Sequence, residues 1–169
     1  MHTEPIARHP EGHGLARVIG ERSGLLPLLR LADDSEPAIA AYHSLGQAFV
    51  LLKEEQPLGV TLCTPIEEAW ASASALEIKN IAVVPELRAR GLGGWMLNQV
   101  LEALAIQQVR QVYLATATAG TRQLRFYQRL GFRFLRIERD WFCAERGYAD
   151  GLLEEGIPLR DRIWLDRVL

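Results

Sequence analysis

The stretch "ELRARGLGGWML" (86–97) sets three glycines and two arginines directly ahead of an apolar pattern with helical spacing. Glycine inside a helix costs about 1 kcal/mol relative to alanine. Such a run therefore marks a place where the backbone comes close to something else. Downstream, Leu92, Trp95, Met96, Val100 and Leu104 recur every three to four residues and predict a helix. Upstream, "ALEIKNIAVVPE" (75–86) reads as a strand stopped by Pro85. A strand, a glycine-rich turn and a helix N-terminus together present unpaired backbone N–H groups and the positive end of a helix dipole. That is an anion site, and phosphate is its commonest occupant.

The strand carries a second signal. Leu76 and Ile78 are apolar at even positions, whereas Ile81 and Val83 are apolar at odd ones. Side chains alternate faces along a strand, so a change of parity at Lys79 and Asn80 implies an inserted residue, a β-bulge. A strand buried on both faces would give the same letters.

Working outward, "LARVIG" (15–20) alternates like a short strand, and residues 23–45 read as two short helices. Pro27 suits the first turn of the earlier helix, and the cluster 33–35 offers caps to the later one. Residues 47–65 predict a hairpin around the charged turn 54–57, and "AWASAS" (69–74) a loop of small residues. "QVYLATAT" (111–118) is the next strand. "TRQLRFYQRL" (121–130) is a helix ended by Gly131 as a left-handed cap, with Phe132 placed for the accompanying apolar contact. Residues 132–138 and 157–168 supply two late strands. The order predicts one mixed α/β sheet with helices on its faces.

The totals narrow the classes. A chain of 169 residues is most simply one domain, burying about two thirds of its unfolded surface. A net charge of −2 gives no basic field for nucleic acid, and no apolar run approaches the ~20 residues of a membrane span. Two distant cysteines, Cys63 and Cys143, argue against a disulfide scaffold or a zinc site and fit a cytoplasmic setting. Residues 1–14 read as a flexible lead-in, followed by a single domain over 15–169. His2, His9 and His13 lie in that lead-in without helical or strand spacing, so no metal is expected there.

Phosphate motifs can be tested against the loop. The Walker pattern fails because no lysine follows, and the dinucleotide pattern fails at Met96. Arg-x-x-Gly-x-Gly fits fully as "RARGLG" (88–93). With "LRFYQRLGF" (124–132) some 30 residues later, the chain resembles the GNAT superfamily of acyl-CoA-dependent N-acetyltransferases. The clear resemblance covers 75–138, and "EEGIPLRDRIWL" (154–165) is similar to one bacterial branch of small members. It implies a mixed, mostly antiparallel sheet of about seven strands, helices on both faces and splayed central strands.

The resemblance implies acetyl-CoA as cosubstrate. Backbone amides of Arg88, Ala89, Arg90, Gly91, Leu92, Gly93 and Gly94 would hold the pyrophosphate. The strand positions Ile81, Ala82, Val83 and Val84 would bond the pantetheine arm and thioester. Tyr127 matches the family's general acid near the sulfur. Glu77 matches a carboxylate that deprotonates the amine, often through water; an ordinary solvent-facing strand carboxylate is the equal alternative. Many relatives carry an asparagine between the second strand and the tyrosine helix, but "TATAGTRQ" (116–123) has none. Thr118 or Gln123 would have to take over its hydrogen bond to the pantetheine arm. Cys143, in an aromatic run without a nearby histidine, reads as a packing thiol and not an acyl carrier.

The activity implied is acetyl transfer to a primary amine by direct attack in a ternary complex. Transfer of another acyl group, or a non-catalytic coenzyme A-binding module, are the alternatives. A small amine or a peptide amine is the implied acceptor, with no nucleic acid or membrane partner, and the resemblance allows a homodimer. Trp70, Trp141, Trp164, Phe142 and Tyr148 belong either to an aromatic-lined acceptor pocket or to the core.

Overall fold

The computed structural model describes every residue except Asp34, Glu67, Ala69 and Ala73. The middle of the cap cluster 33–35 and two positions of the loop 69–74 thus lie outside the described residues. Among the described residues the chain is mixed α/β with largely antiparallel strands and four α-helices, in two compact units, Met1–Arg110 with Leu169 and Gln111–Val168.

In the first unit, β1 (His2–Arg8), β2 (Gly14–Ile19), β3 (Gln47–Lys53), β4 (Gln56–Pro65) and β5 (Ala75–Val83) pair in chain order, each antiparallel to the next. Here the sequence reading needs a correction. Residues 2–8 are not a flexible lead-in but the strand β1, laddered onto β2 from the pair His2 and Ile19 to the pair Arg8 and Gly14. Polar letters concealed it, because an outer strand needs backbone partners more than apolar side chains. With β1 the main sheet strands among the described residues number eight, in keeping with the expected count of about seven.

Helices cover both faces of these strands. Pro27 lies in the first turn of α1 (Leu26–Leu29), and the Ser35 hydroxyl accepts the Ala38 N–H at 3.3 Å to cap α2 (Glu36–Tyr42). Leu28, Leu29, Ile39 and Tyr42 pack with Val18, Val50, Val60, Leu62 and Ala82 from one strand face. Residues of opposite parity, among them Phe49 and Leu51, serve the other face, where Met96 of α3 (Leu92–Ile106) lies against Gly59 of β4.

The β5 register decides between the two readings of its parity. Asn80 faces Leu62 and Ile78 faces Cys63, so Lys79 is the extra residue of a bulge. The bulge brings Glu77 and Asn80, three residues apart, onto the α1/α2 face together.

The second unit holds β6 (Gln111–Ala117), α4 (Thr121–Arg129), β7 (Arg133–Glu138) and β10 (Arg162–Val168), with β10 between β6 and β7 and antiparallel to both. The strand expected over 157–168 is divided: residues 157–158 form β9 (Ile157–Pro158), which pairs β8 (Leu153–Glu154) in a separate small hairpin. The cap at Gly131 forms as expected. Gly131 has φ +81°, its N–H reaches the Gln128 carbonyl at 3.0 Å, and the Phe132 N–H reaches that of Tyr127 at 3.1 Å. This is the paired bonding of a Schellman end, with the Phe132 ring edge-on to Tyr127.

Candidate functional site

The glycine loop begins where β5 ends. The Val84 N–H donates to the Leu58 carbonyl of β4 at 2.9 Å, and alternation turns the N–H and C=O groups of Ile81 and Val83 away from β4. Of the four strand residues named from sequence, Ile81 and Val83 therefore present their backbone along the edge β4 leaves uncovered, while Val84, and Ala82 by the same alternation, are committed to β4. The Arg88 guanidinium returns to this edge, its Nε donating to the Val83 carbonyl at 3.1 Å.

Beyond the strand, the Leu87 and Arg88 N–H groups donate to Val84 and Pro85 in a single 3-10 turn. The Arg88 amide is thus engaged by its own chain. Ala89 (φ +61°) and Gly91 (φ +81°) then twist the backbone into the left-handed region, and α3 starts at Gly91 with no side-chain cap and no acidic residue in its first turn. A Cβ on Gly91 would meet open space, so backbone conformation and not crowding requires glycine there. The first-turn N–H groups of α3, in Leu92, Gly93 and Gly94, are those a helix cannot pair within itself. With the helix dipole behind them they form an anion cradle of the kind a diphosphate fills.

Glu77, on β5 opposite Thr64, is 8% exposed and receives the Lys79 ammonium at 3.2 Å. It is not a carboxylate spread into solvent. On the same face, the buried Asn80 amide donates to the Leu29 carbonyl and to the Tyr42 hydroxyl, each at 3.0 Å, and that hydroxyl donates to Asp33 at 2.9 Å. Burial raises the Tyr42 phenol well above its ordinary value, which keeps it a donor. This chain ties the ends of α1 and α2 to the bulge beside Glu77. The sequence reading used Asn80 only to locate the bulge; a polar amide inside an apolar strand was the signal that it holds something.

Tyr127 of α4 is 8% exposed, with Phe126 and Phe132 edge-on to its ring. Burial pushes its phenol up to about 12, so it carries its proton throughout the neutral range. Among the described residues no side chain bonds its hydroxyl. The two stand-ins for the absent asparagine are both engaged: Thr118 gives its N–H and hydroxyl to the Asp161 carbonyl at 2.9 and 3.2 Å, and the Gln123 amide donates to Glu154 at 3.0 Å.

The remaining candidates divide. Trp164 is core, 1% exposed. Trp141 is stacked between the guanidiniums of Arg162, 3.1 Å from its ring centre, and Arg146, at 3.7 Å. Phe142 and Tyr148 meet edge-on. Cys63 is fully buried, which pushes its thiol up to about 12 and leaves it inert at neutral pH.

Comparison with known proteins agrees with this geometry. The model of the Acetyltransferase (GNAT) family matches residues 25–132. YvbK of Bacillus subtilis, named an N-acetyltransferase, is 29% identical over 152 residues, which is 88% of this chain and 94% of the relative. A GNAT family acetyltransferase from Elizabethkingia anophelis, solved with acetyl-CoA bound, superposes with a TM-score of 0.82 at 27% identity, covering 94% of this chain and 99% of that one. A Bacillus subtilis acetyltransferase solved with CoA gives 0.80 at 26% identity, over 92% and 97% of the two chains.

Proposed function

The chain belongs to the acetyltransferase (GNAT) family and uses acetyl-CoA as cosubstrate, and on that footing we propose that it acetylates the primary amine of a small molecule or peptide by direct attack. The observation that carries this reading is the open start of α3: a glycine cap in the left-handed region and a first turn with no side-chain cap and no acid of its own, directly after a strand whose Ile81 and Val83 backbone groups face away from β4.

The chemistry divides among few groups. Amides from Ala89 to Gly94 take the pyrophosphate, and Ile81 and Val83 align the pantetheine arm by main-chain bonds. The neutral amine forms its new bond to the thioester carbonyl carbon, and the carbon–sulfur bond breaks with its electron pair leaving on sulfur. Tyr127, still protonated because burial disfavours its phenolate, gives its proton to that sulfur. Glu77 takes the proton the amine loses, directly or through a water. Thr118 or Gln123 takes the place of the absent asparagine toward the pantetheine arm, alongside its present bond to Asp161 or Glu154.

The test is release of free coenzyme A thiol from acetyl-CoA over a panel of amines and short peptides, with calorimetry of acetyl-CoA alone. Binding together with amine-dependent thiol release is the expected result. Binding without turnover on any amine would leave a coenzyme A-binding module, and no heat of binding would remove the reading altogether.

A further inference from the structure

The loop between β1 and β2 gathers three side chains that the sequence reading had left in a solvated terminus. The His9 N–H donates to the His13 carbonyl at 2.8 Å, the Gly12 N–H to the His9 carbonyl at 2.9 Å, and the Glu11 N–H to His9 Nδ1 at 3.2 Å. Turn geometry, not helix or strand periodicity, thereby brings His9, Glu11 and His13 together, one ligand-capable atom from each lying within 4.8 Å of the others.

A second observation bears on the same place. His13 is 4% exposed, and its Nδ1 is buried with no hydrogen-bond partner among the described residues. A buried polar atom without a partner is uncommon and calls for a water or an ion. Burial, then the charges of Lys53 and His9, hold this imidazole below its ordinary value against the opposite pull of Glu11. Glu11 and His13 line a cavity of about 500 Å³ together with Lys53, Glu86 and Arg90.

We propose that His9, Glu11 and His13 form a three-ligand site for a borderline-soft divalent cation, with Zn²⁺ the best match and water completing the coordination. Two imidazoles and one carboxylate are a zinc donor set, and imidazole is a poor choice for Mg²⁺ or Ca²⁺. Zinc bonds of about 2.0–2.1 Å set tetrahedral ligand atoms about 3.3 Å apart. Bringing the present atoms, now within 4.8 Å of one another, to that spacing requires rotation of exposed Glu11 and half-buried His9. The site also reaches the glycine loop: the His9 ring stands edge-on to Trp95, in the first turn of α3, with ring centres 5.1 Å apart. A bound ion would fix the β1–β2 loop and, through that ring pair, stiffen the helix start. Its role is structural or regulatory and separate from the residues assigned to acetyl transfer.

The experiment strips the whole chain with a chelator and titrates it with ZnCl₂ alone, following heat, Trp fluorescence and melting temperature. One equivalent of Zn²⁺ and a melting temperature that climbs with free Zn²⁺ are expected. Glu11→Gln and His9→Ala, both at solvent-accessible positions, should each lower the affinity at least about tenfold. His43→Ala, on α2, should leave it unchanged. Absence of saturable binding to the unsubstituted chain overturns the proposal. So does one-equivalent binding that survives in the His9→Ala/His13→Ala double variant, since the ion would then sit elsewhere.

Discussion

Two helices of this protein begin in the same way and finish differently. Both α3 and α4 start at a glycine, Gly91 and Gly120, with no side-chain cap from the cap residue and no acid in their own first turns. At α4 the chain itself supplies the anion. Glu155, at the turn between β8 and β9, accepts the Thr121 hydroxyl and, at 3.2 Å, the Arg122 N–H. At α3, among the described residues, no carboxylate accepts an N–H of the first turn. A helix N-terminus attracts negative charge whatever its source, so the one the fold leaves open is the one available to a diphosphate. In the proposed mechanism the working part of α4 lies instead on its flank, in Tyr127.

The sharpest attempt to break this contrast is Tyr127→Phe. It keeps the buried ring, so the melting temperature should hold, while kcat with saturating acetyl-CoA falls on the order of 10²–10⁴-fold, the usual contribution of a positioned acid. A fall below about threefold would leave α4 without a catalytic part.

Next in size is Gly91→Val. Its φ of +81° strains any side chain, by roughly 1–2 kcal/mol and more for a β-branched one. The change should distort the open end and weaken acetyl-CoA binding at least about tenfold in calorimetry, while the unliganded chain still folds.

Glu155→Gln sharpens the comparison from the other side. Removing the anion from α4 should lower the melting temperature by no more than roughly 4 °C and leave acetyl-CoA affinity within about twofold. If affinity instead fell as far as in Gly91→Val, the two helix starts would not be doing different jobs.

The smallest effect is in acid. Bonding to Thr121, and then to the Arg122 N–H and charge, holds the Glu155 carboxyl below its ordinary value. Because the folded value is the lower one, the stabilisation is complete above the unfolded carboxylate pKa of about 4.3. It disappears as pH falls through the folded value. Melting temperatures of the parent and Glu155→Gln should therefore differ by a constant amount near neutrality and converge as pH falls below the ordinary carboxylate range.

Much of the fold could be read in letters because its determinants are local. The change of parity at Lys79 offered the bulge as one of two readings, and Gly131 followed by Phe132 foretold the Schellman end. Proline and serine at the helix starts did the same for α1 and α2. β1 escaped notice because its polar residues show no alternation, and its stability comes from a ladder to β2 that no single segment encodes. The candidate site was half visible. The glycine loop and Tyr127 stand out as motifs. The burial of Glu77, the bonds from Asn80 to Tyr42 and Leu29, and the engagement of Gln123 by Glu154 join residues far apart in the chain.

The sequence alone determined the left-handed cap at Gly131, the order of helices and strands from β2 to β7, and the pair of motifs that mark the family. Each depends on a few neighbouring residues and their intrinsic conformational limits. Only the tertiary structure decided which polar groups lose water and which find partners within the chain. It enclosed His13, withdrew Glu77 from solvent, and set an acid over one glycine-capped helix while leaving the other without one. Dehydration and pairing are set by what distant segments bring to a point in space, and neighbouring letters do not carry that information.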